Sequence, residues 1–109
     1  MKLVVRSAAN RDIISAAEFY ERNRVGLGRE FFREVDAIFS IFCQQPYIGQ
    51  AIEGGQGLRG FQLKRFPYQV VYSLKNDEVN VLAVTDQRRQ PETWRYRVQE
   101  EQAIYQLAA

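Results

Sequence analysis

The sequence predicts an α+β domain in the order β-α-α-β-β-β: an antiparallel sheet with an N-terminal helical hairpin packed on one face and a short C-terminal helix. Two helical-period segments meet at Gly26-Leu27-Gly28, and three β-type runs follow Gly57. Between the last two runs stands Asn76-Asp77, a pair that tolerates positive φ and so makes a two-residue hairpin turn. The length, 109 residues, fits one domain.

The first strand is short and β-branched, Lys2 to Arg6. Helix one starts after Ser7 or Asn10, both good N-caps, with Asp12 suited to the positive end of the helix dipole. Its apolar positions Ile13, Ala17 and Tyr20 fall four and three apart, and Ala16 and Phe19 widen the stripe. Helix two runs from about Gly28 to Gln45 and stops before Pro46. Phe31, Val35, Ile38 and Phe42 form one seam, broadened by Phe32, Phe39 and Ile41. Joined by two glycines, the helices read as an αα-hairpin, and the aromatic seam as core.

Pro46 to Gly57 reads as a loop. Strands are expected over Leu58–Arg65, Gln69–Lys75 and Glu78–Thr85. The Asn76-Asp77 turn sets a register of Lys75 with Glu78, Leu74 with Val79, Tyr72 with Val81 and Val70 with Ala83. The opposite face then carries Gln69, Val71, Ser73, Asn80, Leu82 and Val84, a mixed surface on which a partner or a second copy could dock. Pro91 opens a helix over about Glu92 to Glu100 with Trp94 and Tyr96, and a tail follows.

Composition is that of an ordinary globular chain, 46% hydrophobic and 26% charged. No apolar run reaches the roughly 20 residues of a membrane span, and Met1 to Arg6 is too short for a signal peptide. The single cysteine, Cys43, lies in a helical apolar pattern and is expected to be a buried thiol. A cytoplasmic protein is expected, with no metal or cofactor. The net charge of +2 gives little general attraction for nucleic acid, and no specific nucleic-acid binding is expected. The cations are nevertheless unevenly placed. From Gln56 to Lys75 there are Arg59, Lys64, Arg65 and Lys75 and no acid, and Arg88-Arg89, Arg95 and Arg97 follow. One reading is a solvated rim; the other is a patch that meets an acidic partner.

Several short pieces recur in the right order and spacing for a known family. They are Asp12-Ile13, Ala16-Ala17, Phe19-Tyr20-Glu21, Gly26-Leu27-Gly28, Glu34-Val35, Gln45-Pro46 and Leu58-Arg59. Leu63 to Tyr68 running into Val70-Val71-Tyr72, then Ala83-Val84, Arg89, Pro91 and Trp94, complete the set. Together they resemble the ParE branch of the ParE/RelE toxin superfamily, with residues 1–100 as the toxin domain and 101–109 as a tail. The resemblance implies a bacterial toxin of a type II toxin–antitoxin system, neutralised by a cognate, acidic antitoxin. ParE-like members inhibit DNA gyrase; RelE-like members cleave messenger RNA on the ribosome.

Cleavage would need a base, an acid and phosphate-binding cations. The chain has no histidine. Where the cleaving relatives carry two lysines and an arginine on neighbouring strands, this sequence has Gly60, Gln62 and Gln69. Their later arginine and tyrosine fall at Gln87 and near Thr93. No catalytic residue is therefore expected, although Lys64 and Arg65 remain as phosphate cations and Tyr68, Tyr72 or Tyr96 as acids. Arg59, Lys64, Arg65, Arg88 and Arg89 are expected to contact a partner, with Trp94 as an anchor or as core. Asp86, where relatives commonly carry histidine, is expected to pair with Arg88 or Arg89. A gyrase inhibitor is favoured; a ribosome-dependent endoribonuclease and a non-toxic, antitoxin-binding member are the alternatives.

Overall fold

A computed structural model describes residues 1–54, 57–88, 95, 97 and 98. The elements are β1 (Lys2–Val5), α1 (Ser7–Asn23), α2 (Leu27–Gln44), β2 (Gln50–Ala51), β3 (Leu58–Gln62), β4 (Tyr68–Lys75) and β5 (Glu78–Asp86). They form a helical hairpin and one five-stranded sheet in the order β1-β5-β4-β3-β2. The sheet is mixed, because β1 joins β5 in parallel while the other pairs are antiparallel.

Neither expected N-cap caps α1. Arg6 holds that place without a side-chain bond, and Ser7 and Asn10 lie inside the helix. The reason is the short exit from β1. The Arg6 N–H still bonds the Val81 carbonyl at 3.0 Å, while its own carbonyl already accepts the Asn10 N–H at 2.9 Å. Gly26, at φ 91°, starts α2 in a conformation that costs other residues a Cβ clash. The N-terminus of α2 is instead closed by Glu21, whose carboxylate accepts the N–H groups of Gly26 and Gly28 at 3.0–3.1 Å.

The 46–57 segment is not all loop: Gln50 and Ala51 pair with Gly60 and Arg59 as an edge strand. β3 ends at Gln62, three residues earlier than expected, because Leu63 to Pro67 turns the chain. The Leu63 N–H bonds the Tyr68 carbonyl at 2.9 Å. At the other hairpin Asn76 and Asp77 adopt φ 53° and 60°, the doubly left-handed turn that their identity predicts.

The expected register holds for Lys75–Glu78, Leu74–Val79 and Tyr72–Val81 and then breaks. A bulge at Val71/Tyr72 leaves Leu82 as the extra residue, so Val70 faces Val84 and Val71 faces Ala83. One inserted residue reverses the side-chain alternation beyond it. Val84 therefore joins Val70, Tyr72, Val79 and Val81 under the helices, in the cluster that also holds Ile13, Phe31, Val35, Ile38 and Phe42. Ala83 turns instead to the second face, where Leu82 stays as expected, with Leu58 and Val71. That face is not the open mixed surface expected for docking or for a second copy. Val71, Asn80, Leu82 and Ala83 are buried there, and Val98 packs against the cluster with Ile52 at its edge. Residues 95, 97 and 98 are helical; the rest of the expected C-terminal helix, with Trp94, Tyr96 and the tail, lies outside the described residues. Among the described residues no helix is long and apolar enough to cross a membrane.

Tyr72 links the core to the loop. Its ring stacks on Phe42 at 4.1 Å between centroids. Its Oη accepts the Gly49 N–H at 2.9 Å and donates to the Pro46 carbonyl at 2.8 Å. Burial raises its pKa above the ordinary tyrosine value, partly offset by the Gly49 bond and Arg59. Burial also raises Tyr20, helped by Tyr68 and Asp86 and opposed by Arg88. A raised folded-state pKa contributes stability that is complete below the unfolded value, about 10, and is lost as pH rises through the folded one. Tyr20 and Tyr72 should therefore titrate late, and stability should fall on the alkaline side of pH 10. Ultraviolet titration of tyrosinate with parallel denaturant unfolding tests this; in Tyr72→Phe the alkaline loss should shrink.

Candidate interaction surface

The β3–β4 turn and the far end of β5 lie at the same end of the sheet, since Tyr68 pairs with Asp86 and the Gln87 N–H bonds the Pro67 carbonyl at 2.9 Å. Lys64, Arg65 and Arg88 are thereby gathered at one end. Arg59 stands apart, opposite Tyr72 on β3. Arg89 and Trp94 lie outside the described residues.

Each gathered cation belongs to an ordered local arrangement. The Glu34 carboxylate, reaching from α2, accepts the backbone N–H of Lys64 in a short bond and that of Arg65 at 3.4 Å. The Arg65 guanidinium lies 3.4 Å from Glu30, which also holds Arg24 at 3.0 Å. Arg88 is chelated by Asp86, with Nε 2.9 Å from Oδ1 and Nη2 2.7 Å from Oδ2. That is one of the two pairings expected for Asp86, and it raises the Arg88 pKa further, so the guanidinium stays charged. These pairs are largely exposed, and each contributes little to stability. Their effect is to fix where the Arg65 and Arg88 guanidinium groups point.

Arg59 is used differently. Its Nη1 donates to the Gly49 carbonyl at 2.7 Å and to that of Tyr47 at 3.2 Å, and its guanidinium lies 4.9 Å from the Tyr47 ring centroid. It secures the loop before β2 alongside Tyr72.

Gly60, Gln62 and Gln69 do come together. They line one hollow of about 430 Å³ with Ile48, Gln50, Ala51, Ile52 and Phe61, at the β2–β3 edge. A side chain at Gly60 would meet the Gln69 Oε1, 3.0 Å from the Cβ position. The lining carries amides and apolar groups and no titratable side chain.

A second hollow, about 510 Å³, opens at the cationic end between α1 and β5. Asp12, Ser15, Phe19, Tyr68, Asp86 and Arg88 line it, with Arg97. Asp12 is the residue of this hollow that sequence reasoning placed wrongly. Rather than serving the helix dipole, its carboxylate accepts the Val84 N–H at 3.0 Å and a paired contact from Arg97 at 3.1 and 2.8 Å. The signal was present: Asp12 lies three residues after Ala9 and four before Ala16, a charge inside a buried stripe.

On the outside of the helical hairpin, Ile14, Ala17, Val25 and Phe32 form an apolar groove of about 560 Å³, rimmed by Glu18, Glu21 and Arg29. Phe32 is half exposed and Val25 almost wholly so.

The profile described as "ParE toxin of type II toxin-antitoxin system, parDE" matches residues 3–91. The chain belongs to the ParE toxin family. The family match makes it the toxin of a type II toxin–antitoxin system, with an antitoxin as its implied partner. Among solved structures, the ParE-type fold recurs in a chain described as "Chromosomal ParDE TA system from P. aeruginosa". The two share 19% identity, with a TM-score of 0.60 over 79% of this chain and 95% of that one. At that identity the likeness is one of fold. A search of curated proteins found no match.

Proposed function

We propose that this ParE-family toxin inhibits DNA gyrase by binding it, works in the cytoplasm, and is neutralised when its antitoxin occupies the toxin surface. The observation that carries the reading is the hollow of Gly60, Gln62 and Gln69. The family resemblance matches these positions to the lysines and arginine of the ribonuclease relatives, and here a glycine and two glutamines stand in their place. A phosphoryl transition state meets no cation and no titratable group in that lining. Arg65 and Arg88, oriented by Glu30 and Asp86, and Lys64 on the turn that Glu34 holds, instead suit contact with an acidic protein surface. The apolar groove over α1 and α2 suits an amphipathic antitoxin helix.

Purified toxin should abolish supercoiling of relaxed plasmid by gyrase and leave message on programmed ribosomes intact. The double variant Lys64→Gln/Arg65→Gln should raise the half-inhibitory concentration about tenfold. Message cut by the pure protein, and spared by that same variant, would reverse the assignment.

A further inference from the structure

We infer that Glu34 is a positioning residue: its carboxylate holds the backbone of the β3–β4 turn, so that Lys64 and Arg65 meet the target from a fixed place. This rests on the gyrase reading for the identity of that target.

The turn from Leu63 to Pro67 is anchored at two apolar members, since Leu63 and Phe66 are buried in the core cluster beneath the helices. The Leu63 N–H bonds the Tyr68 carbonyl at 2.9 Å, and the Tyr68 N–H bonds that of Phe66 at 2.8 Å. Lys64 and Arg65 stand between these anchors and are exposed. Their N–H groups both turn to α2, where the half-buried Glu34 carboxylate accepts them. The Lys64 N–H meets Oε2 in a short bond, and the Arg65 N–H lies 3.4 Å from each of the two oxygens.

Those two N–H groups belong to the peptide planes on either side of the Lys64 Cα. Peptide units are rigid, so holding both planes sets φ and ψ at Lys64 and with them the direction in which its side chain leaves. A carboxylate suits the task, because its two oxygens can take several charge-assisted bonds at once. One helical turn earlier on α2, Glu30 lies 3.4 Å from the Arg65 guanidinium. Among the described residues the Lys64 ammonium forms no ion pair, which leaves its charge for a partner. The bonds to Glu34 lie at the surface, where water can replace them, so losing them leaves the buried anchors in place. A turn ordered before association loses less entropy on binding.

Glu34→Ala removes the acceptor, whereas Glu34→Gln keeps one acceptor oxygen and loses the charge. In the full-length Glu34→Ala protein, amide exchange at Lys64 and Arg65 should accelerate about tenfold while the Leu63 and Tyr68 amides stay protected. The urea midpoint should stay close to that of the parent. About fivefold more of the variant should be needed to inhibit gyrase supercoiling, with Glu34→Gln between it and the parent. Added to Lys64→Gln/Arg65→Gln, Glu34→Ala should weaken inhibition no further, because Glu34 acts only through those two residues. If Glu34→Ala loses its fold, the same readouts on Glu34→Gln decide. Unchanged exchange overturns the clamp. Faster exchange with undiminished inhibition, or a loss that adds to that of the double variant, overturns the positioning role. Growth arrest on induced expression ranks the same proteins whatever the target. If the unmodified toxin spares supercoiling but arrests growth, the gyrase reading falls and the ranking by arrest decides the role of Glu34. A chain that does neither overturns both.

Discussion

Replacing Tyr72 by alanine should remove about 4 kcal/mol of folding free energy, the cost typical of deleting a large buried aromatic. The ring is fully buried, stacks on Phe42, and bonds through its hydroxyl to both Gly49 and Pro46. A domain of this size holds a total of roughly 5–15 kcal/mol, so the variant should be largely or wholly unfolded at growth temperature. Tyr72→Phe separates the hydroxyl from the ring. It should cost about 2 kcal/mol, because the Gly49 N–H would be left buried without an acceptor. Urea unfolding of the three proteins measures both steps. Equal stability of Tyr72→Phe and the parent would show that the hydroxyl bonds do not hold the loop before β2.

Gly28→Val should cost about 3 kcal/mol, at the upper end for overpacking a close contact. A Cβ at Gly28 would sit 2.7 Å from the Ala17 carbonyl oxygen, a backbone atom of the facing helix, and 3.1 Å from Glu21 Oε1. The helices must move apart, and Glu21 must release the N–H groups it caps. Gly28→Ala should lie between the two, and the midpoint of thermal unfolding should fall by about 4–8 °C per kcal/mol lost. Gly26 offers the contrast. A side chain there meets nothing within 4 Å, so any loss in Gly26→Ala comes from its φ of 91° alone.

Local interactions leave a mark in the sequence, and long-range ones do not. The Asn76-Asp77 turn was legible because few residue pairs accept two positive φ values in succession. The helical seam Phe31, Val35, Ile38 and Phe42 was legible from its period, and all four are buried. The bulge at Leu82 was not. From Val79 to Val84 nearly every residue is apolar and both faces of β5 are covered, so a slip of one position leaves no mark in the alternation. β2 escaped notice because two residues in a polar, glycine-rich stretch carry no period at all.

At the candidate site the cations themselves were legible as a charge run. Their partners were not. Glu34 meets the Lys64–Arg65 turn from thirty residues away, and Arg97 meets Asp12 across most of the chain. Hydrogen bonds at such separations depend on how the layers stack, which composition and spacing do not encode. Arg59 illustrates the same limit. As a member of the run it read as a contact residue, yet its guanidinium is bonded to the carbonyls of Tyr47 and Gly49.

The placement of β5 also constrains how the toxin comes into being. The first strand to leave the ribosome, β1, waits for the last one, since its neighbour in the sheet is β5 and nothing earlier. Helices α1 and α2 can associate while synthesis continues, but the sheet that buries their inner faces gains β5, the strand between β1 and β4, last of its five. A nascent chain that has not yet reached β5 therefore has the Lys64–Arg65 turn but neither Arg88 nor the strand that joins β1 to the sheet, so the cationic end is completed late in synthesis.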